Sequence, residues 1–393
     1  MIFAVRDPLR PIPGIAFVLL FLFAVAASTA GSSAAWSAPL PAAPQLSAKS
    51  YVLLDDASGE TLASKEPDAR VEPASLTKIM TAYIVAGELA RGSVTLDEPV
   101  IVSEQAQSMP GSRMFIEAGK TVVLADLLRG LIIQSGNDAS VALAEHIAAS
   151  ERGFVDMMNR TAETLGMQGT SYANSSGLPH PDHYTTANDL GIIARAMIRD
   201  HPEIYAIYSE REFTFNEITQ KNRNTLLWRD ETVDGMKTGH TEAAGYCLVA
   251  SARRDNMRLI TIVLGTASEK TRLAESERLL NYGFRFFRSE RIYAAGEAVT
   301  DARIWMGQQD TIALGVGEDL WLTLPRDDFA ALETKIEISD YIRAPVGIGE
   351  ELGRSVLTTS AGTVREVSLL ALQKIDEGGI FKRMQHSIQR HFQ

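Results

Sequence analysis

Cysteine is almost missing from this sequence. Its 393 residues include one, Cys247, so no internal disulfide can form and the fold must rest on core burial. The run Gly245-Tyr246-Cys247-Leu248-Val249-Ala250 reads as a strand, which makes the thiol a small buried hydrophobe. Excess positive charge is missing too. Against 49 Asp and Glu stand 38 Lys and Arg, a net charge of −11 with a pI near 5.2. That balance excludes a general polyanion binder, and nucleic acid is not expected as a partner. The amino-terminal apolar run, Ile15 to Ala27, falls short of the ~20 residues a spanning helix needs, which points away from a retained anchor. There is no internal repeat and no long low-complexity tract beyond an Ala/Ser/Pro-rich leader and linker.

What is present is an ordinary globular composition, 45% hydrophobic and 22% charged, in a chain too long for one typical domain. Arg6 and Arg10, the apolar run and then small residues through Ser37 and Ala38 follow the order of a secretory signal peptide over residues 1–36, with cleavage between Ala30 and Ala38. A catalytic unit is expected over residues 45–288. Strand-like runs (Tyr51 to Leu54, Leu259 to Leu264) bracket helical stretches such as Leu76 to Ala90 and Leu124 to Leu131, so the terminal strands should share one sheet. Over residues 291–376 short alternating segments, Ala302 to Met306 and Leu320 to Leu324 among them, are separated by turn residues and predict a small β-rich unit.

Three motifs carry chemistry. In Pro73-Ala74-Ser75-Leu76-Thr77-Lys78, Ser75 stands at the amino end of a buried helix, and residues three apart share a face, which sets the Lys78 amine beside the Ser75 hydroxyl. Serine is a weak nucleophile unless a neighbour takes its proton, and lysine does so only when burial or another cation lowers its pKa. Taken alone, the pattern equally describes a serine cap and a surface lysine. Ser135-Gly136-Asn137 supplies a hydroxyl able to relay a proton and an amide able to bind a peptide carbonyl, though these are also common turn residues. Lys237-Thr238-Gly239 precedes the strand at Tyr246. Alternation puts Lys237 and Gly239 on one face, a cation beside a gap through which substrate is expected to approach.

Together the three form the S-x-x-K, S-x-N and K-T-G set of penicillin-binding proteins and serine β-lactamases. With Ser135-Gly136-Asn137-Asp138-Ala139, Val233-Asp234-Gly235-Met236-Lys237-Thr238-Gly239-His240-Thr241 and Asn281-Tyr282-Gly283-Phe284-Arg285-Phe286-Phe287, the chain resembles the low-molecular-mass D-alanyl-D-alanine carboxypeptidases of the penicillin-binding protein 5 type, serine peptidase family S11, over nearly its whole mature length. The resemblance implies an α+β fold: a β-lactamase/transpeptidase-like catalytic domain, with an antiparallel sheet flanked by helices and an all-helical subdomain, then a small β-rich stalk. It implies Ser75 as nucleophile, Lys78 as general base, Ser135 as proton relay and Lys237 beside it. Asn137, Lys237, Thr238, Gly239, His240 and Arg272 would bind substrate. The N–H groups of Ser75 and His240 would form an oxyanion hole, and Arg272 would hold the terminal carboxylate. An ion pair of Arg272 with Glu275 or Glu277 is the alternative. No cofactor or metal is implied. The implied partners are the pentapeptide stem of peptidoglycan and β-lactam antibiotics.

Two other readings have a stated basis. A β-lactamase of class A would carry E-x-x-L-N between the second and third motifs; here the literal match, Glu277-Arg278-Leu279-Leu280-Asn281, follows the third on an amphipathic helix. The loop Asn174 to Thr186 resembles its carboxypeptidase counterpart, and its His180 and His183 make a poor metal pair with no cysteine nearby. A catalytically idle wall-binding scaffold would not need Ser75, Lys78, Ser135 and Lys237 together. Finally, residues 378–393 place Phe381, Met384, Ile388 and Phe392 at helical spacing beside Lys382, Arg383 and Arg390. This predicts a helix lying in an anionic membrane interface, or else one packed on its own domain. With the leader, it points to a periplasmic enzyme held at the outer face of the inner membrane.

Overall fold

The computed structural model describes residues 40–391, with side chains through His386. The expected leader and its cleavage window lie outside the described residues, as do Phe392 and the side chains of Ile388 and Arg390. The chain begins with β1 (Ser50–Asp55), β2 (Thr61–Lys65), α1 (Lys78–Ala90), β3 (Pro99–Ile101), α2 (Glu104–Ser108), β4 (Thr121–Val123) and α3 (Leu124–Arg129). It continues through α4 (Asn137–Ala148), α5 (Glu151–Leu165), α6 (Ala187–Asp200), α7 (Pro202–Tyr205), β5 (Glu212–Phe215), β6 (Ile218–Lys221), β7 (Val233–Thr241), β8 (Gly245–Arg254), β9 (Met257–Thr266) and α8 (Glu269–Phe286). The β-rich part comprises β10 (Phe287–Tyr293), β11 (Ala298–Trp305), β12 (Thr311–Gly315), β13 (Leu320–Pro325), α9 (Arg326–Phe329), β14 (Glu333–Ile338), β15 (Ile342–Arg343), β16 (Glu351–Thr359) and β17 (Gly362–Ala371), and α10 (Ile380–His391) follows.

The first sheet has the order β2-β1-β9-β8-β7 and is antiparallel throughout. As expected, the first and last long strands share it, with Ser50 opposite Leu264 and Asp55 opposite Leu259. Both faces are covered, which is why β1 and β9 read as near-continuous apolar runs. Val52 and Leu54 pack with the helices α1, α4 and α6, while Leu53 turns to the side where Leu273, Leu279 and Leu280 of α8 lie. Helix α5 is amphipathic in the ordinary way: Phe154, Met158 and Ala162 are buried one turn apart. Ser150 caps it by accepting the Gly153 N–H, and Gly166 at φ +82° ends it. The helical stretch expected through Leu131 instead stops at Arg129 and widens into a π turn, Gly130–Gln134, which delivers Ser135 at φ +67°.

The β-rich part forms a six-stranded sheet, β14-β16-β17-β12-β11-β15, with β10 and β13 paired beside it. It follows α8 without a linker. Arg326 donates from Nη2 to the Phe284 carbonyl (2.9 Å) and from Nε to that of Arg285 (3.2 Å), occupying carbonyls that the helix end leaves open. Ser289 donates to Asp55 (3.2 Å), and Ser58 meets Thr323 at 2.7 Å. At the far end α10 lies against this part by its polar side. His386 Nδ1 accepts the Met306 N–H (2.9 Å), Lys382 reaches Asp310 (3.0 Å), and Arg383 reaches Glu377 (2.9 Å). Lys382 and Arg383, expected beside an anionic membrane or on a helix packed against its own domain, pair with carboxylates of the chain. Ile380, Phe381 and Met384 face outward, Phe381 88% exposed. Among the described residues no helix is long and apolar enough to cross a membrane.

Candidate active site

Ser75 lies in a short 3-10 turn, Ala74–Thr77, that leads directly into α1, and Lys78 opens that helix. The Lys78 amine is fully buried and lies 3.1 Å from Ser75 Oγ, 2.7 Å from Asn137 Oδ1 and 2.6 Å from the Ser176 carbonyl. Burial, with help from the Arg223 charge and against the pull of Asp138, pushes its pKa down to about 7. An ammonium would donate to all three oxygens. A neutral amine keeps two hydrogens for Asn137 and Ser176 and turns its lone pair to the Ser75 hydroxyl.

Ser135 holds its left-handed backbone in the bend after the π turn and stays buried. Its hydroxyl accepts from Lys237 Nζ at 2.8 Å. Lys237 lies on β7, is buried, and has a pKa lowered well below the ordinary lysine value by burial and by the charges of Lys78, Arg223 and Arg272. Asn137 begins α4, with Oδ1 on Lys78 and Nδ2 donating to the Pro110 carbonyl (2.6 Å). One Nδ2 hydrogen remains for a ligand, so Asn137 orients Lys78 as well as offering the amide that the sequence suggested. A cleft of about 270 Å3 opens over Ser75, Ser135, Thr238, Gly239, His240 and Arg272.

Gly239 lines the cleft and also serves packing. Its bare Cα faces the nucleophile's own turn: a Cβ would sit 3.1 Å from the Pro73 carbonyl oxygen, 3.2 Å from Leu76 Cγ and 3.3 Å from Ala74 Cβ. The glycine lets β7 pack close to the turn that carries Ser75. Arg272, on the first turn of α8, is 5% exposed and pairs with Glu269 (3.1 Å), not with Glu275 or Glu277. Glu275 accepts the Ser47 and Ala48 N–H groups, and Glu277 pairs with Arg229. Arg272 Nε is buried with no partner, a donor still to be satisfied. His240 is exposed, its ring 4.1 Å from that of Tyr246.

Several functional contributors escaped the sequence. Arg223 lines the cleft because the buried side chains of Asn222 and Asn224 peg the chain on either side of it: Asn222 to the carbonyls of Tyr208 and Glu210, Asn224 to that of Gly235. An Asn-Arg-Asn triplet before a strand is the only trace of this in the sequence. Asp138 accepts the N–H groups of Met114 and Phe115 and so fixes the segment above the site. The loop after Tyr172 supplies the Ser176 carbonyl. Asn174 Oδ1 gathers the N–H groups of Ser176, Gly177 and Leu178 (3.2, 2.7 and 3.1 Å), and Gly177, at φ +88°, lies so close that a Cβ would come 1.8 Å from the Ala74 carbonyl oxygen. His183 bonds Thr77 Oγ1 through Nε2 (2.8 Å) and accepts the Ala173 N–H at Nδ1 (3.1 Å), so both ring nitrogens are engaged within the protein. The E-x-x-L-N match is consumed by packing, with Leu279 and Leu280 buried and Asn281 holding Arg254 (3.1 Å).

Two family models match the chain: D-alanyl-D-alanine carboxypeptidase over residues 37–268, and the C-terminal domain of penicillin-binding protein 5 over 287–377. The chain belongs to the D-alanyl-D-alanine carboxypeptidase family. A D-alanyl-D-alanine carboxypeptidase, DacC, of Escherichia coli is 39% identical over 93% of this chain and 92% of its own length. The crystal structure of penicillin-binding protein 5 from Haemophilus influenzae superposes with a TM-score of 0.83 at 40% identity, over 86% of this chain and all of that one. Penicillin-binding protein D2 of Listeria monocytogenes, solved in its ampicillin-bound form, has a TM-score of 0.58 at 28% identity and covers 62% of this chain and all of that one. Family and fold agree with the reading from the motifs, and a mixed catalytic part followed by a β-rich one is the architecture of this serine carboxypeptidase family.

Proposed function

We propose that the chain removes the terminal D-alanine from pentapeptide stems of peptidoglycan through an acyl-enzyme on Ser75, and that β-lactams acylate the same hydroxyl. The observation that carries this is the buried Lys78 amine, its pKa near 7, aimed at Ser75 Oγ. Neutral Lys78 takes the serine proton as Oγ attacks the carbonyl of the penultimate D-alanine. The N–H groups of Ser75 and His240 steady the oxyanion, and Asn137 holds the neighbouring peptide carbonyl. Ser135, with Lys237 behind it, passes a proton to the departing amine. Arg272 and Arg223 both line the cleft; Arg272 receives the terminal carboxylate, and Arg223 adds positive charge beside it. Water then releases the shortened stem from Ser75.

Labelled penicillin tests this on the intact protein, followed by D-alanine release from a soluble pentapeptide. A covalent label lost in Ser75→Ala and D-alanine release outpacing penicillin turnover are expected. An unlabelled wild type would remove the acyl-enzyme. Residues 1–36 act as an export signal, residues 45–288 as the catalytic domain and 291–376 as a stalk. The exposed Ile380, Phe381 and Met384 support a tail, residues 378–393, that lies in a membrane surface at the periplasmic side.

A further inference from the structure

Four arginines from four separate segments line one groove where the catalytic part meets the β-rich part. Arg254 ends β8, Arg285 lies near the end of α8, Arg288 is on β10 and Arg326 begins α9. The groove encloses about 600 Å3, against about 270 Å3 for the cleft at Ser75, and only two carboxylates, Asp255 and Glu290, line it.

The distribution of charge separates structural arginines from available ones. Arg254 is committed to Asp230 (2.8 Å), and Arg288 pairs with Glu290. Arg326 uses Nε and Nη2 on main-chain carbonyls, which leaves its formal charge without a carboxylate. Arg285 is exposed and rests against the Phe286 ring at 5.3 Å, again with no ion pair among the described residues. In a chain of net charge −11, two unneutralised guanidinium groups framed by two partly neutralised ones make a local cationic site, and planar forks of this kind match carboxylate or phosphate oxygens. Thr238 in the cleft is opposite Leu248, and β8 from Leu248 to Arg254 spans roughly 20 Å at its ordinary rise. The two openings are thus separated by roughly 20 Å along the strand, a distance within the span of an extended polymer.

We propose that this groove is a second binding site, for a chain bearing paired anionic groups, and that its occupant is a neighbouring carboxylate-bearing stretch of the polymer whose stems enter the cleft. The polymer's identity rests on the carboxypeptidase reading. The test uses full-length protein with Ser75 blocked by penicillin and measures binding of soluble glycan fragments carrying tetrapeptide stems. Anionic phosphatidylglycerol vesicles, with protein lacking 379–393, form the second arm. Wild type should bind fragments in a salt-dependent way, and Arg285→Glu should weaken this at least tenfold. The same variant should keep its penicillin labelling, its melting temperature and its D-alanine release from a short soluble pentapeptide, while losing rate on the polymer. Equal fragment binding by wild type and variant overturns the groove, as does charge-dependent binding to vesicles with none to fragments. Failure of the wild type to label or to act on the short peptide would instead overturn the catalytic reading.

Discussion

As the proposed base, Lys78 should set the pH at which the site works. With its pKa brought down to about 7 by burial, the proton-accepting form grows as pH rises through that value. Acylation by penicillin should therefore climb about tenfold per pH unit on the acid side and level off above about pH 8. A profile flat from pH 5 to 8 would remove Lys78 as the base. Lys78→Arg keeps a cation at every pH and should slow acylation at least ~100-fold. His183 makes a different prediction. Its pKa is pushed down to about 4 by burial and by His180 and Lys78, so it stays neutral where the enzyme works, with Nε2–H given to Thr77. His183→Phe fills the space without the two hydrogen bonds. It should lower stability by roughly 2 kcal/mol in a denaturant titration and slow acylation by loosening the nucleophile's turn. Ser75, Lys78, Ser135, Asn137 and Lys237 were legible in the sequence because their three short motifs together resemble the set of a known family, whereas each motif alone also fits an ordinary cap or turn. Arg223 and Asp138 were not, since each matters through a loop whose position only the folded chain defines.

At the scale of elements, the segment Asn174 to Thr186 is the part on which the site most depends. It holds no helix or strand, only isolated bridges of Tyr184 to Ser171 and Thr185 to Val71, and around Ser176 its shape comes from Asn174 binding three N–H groups and from one glycine. Gly177→Ala meets both a positive φ and the Ala74 carbonyl, and should cost about 4 kcal/mol or abolish folding; Tm and penicillin labelling report which. Asn174→Ala should cost about 1–3 kcal/mol and lift Ser176 off Lys78; the buried ammonium then loses an acceptor, so the pH midpoint of acylation should fall. Periodicity made the long strands and helices readable. It did not reveal the π turn before Ser135, because Gly130 to Gln134 carries the same buried apolar residues a helix would. Nor could it tell that Gly239 serves the packing of β7 on Ser75.

For the whole molecule, α10 shows its acidic partners on one side and bare apolar side chains on the other. Because Lys382 and Arg383 are already neutralised by Asp310 and Glu377, membrane attachment should depend on apolar burial more than on lipid charge. Phe381→Ser with Met384→Ser should weaken binding to vesicles ~100-fold, whereas Lys382→Ala should change it little; the reverse order would make the contact electrostatic. Removing 379–393 should leave penicillin labelling intact. The pairing of β1 with β9 bears on the order in which the chain can fold. Ser50 cannot reach its partner Leu264 until nearly all of the catalytic part has emerged, and sheets closed over such distances form slowly. For the export proposed above, such late closure would keep the polypeptide from completing its central sheet until the whole catalytic part had crossed.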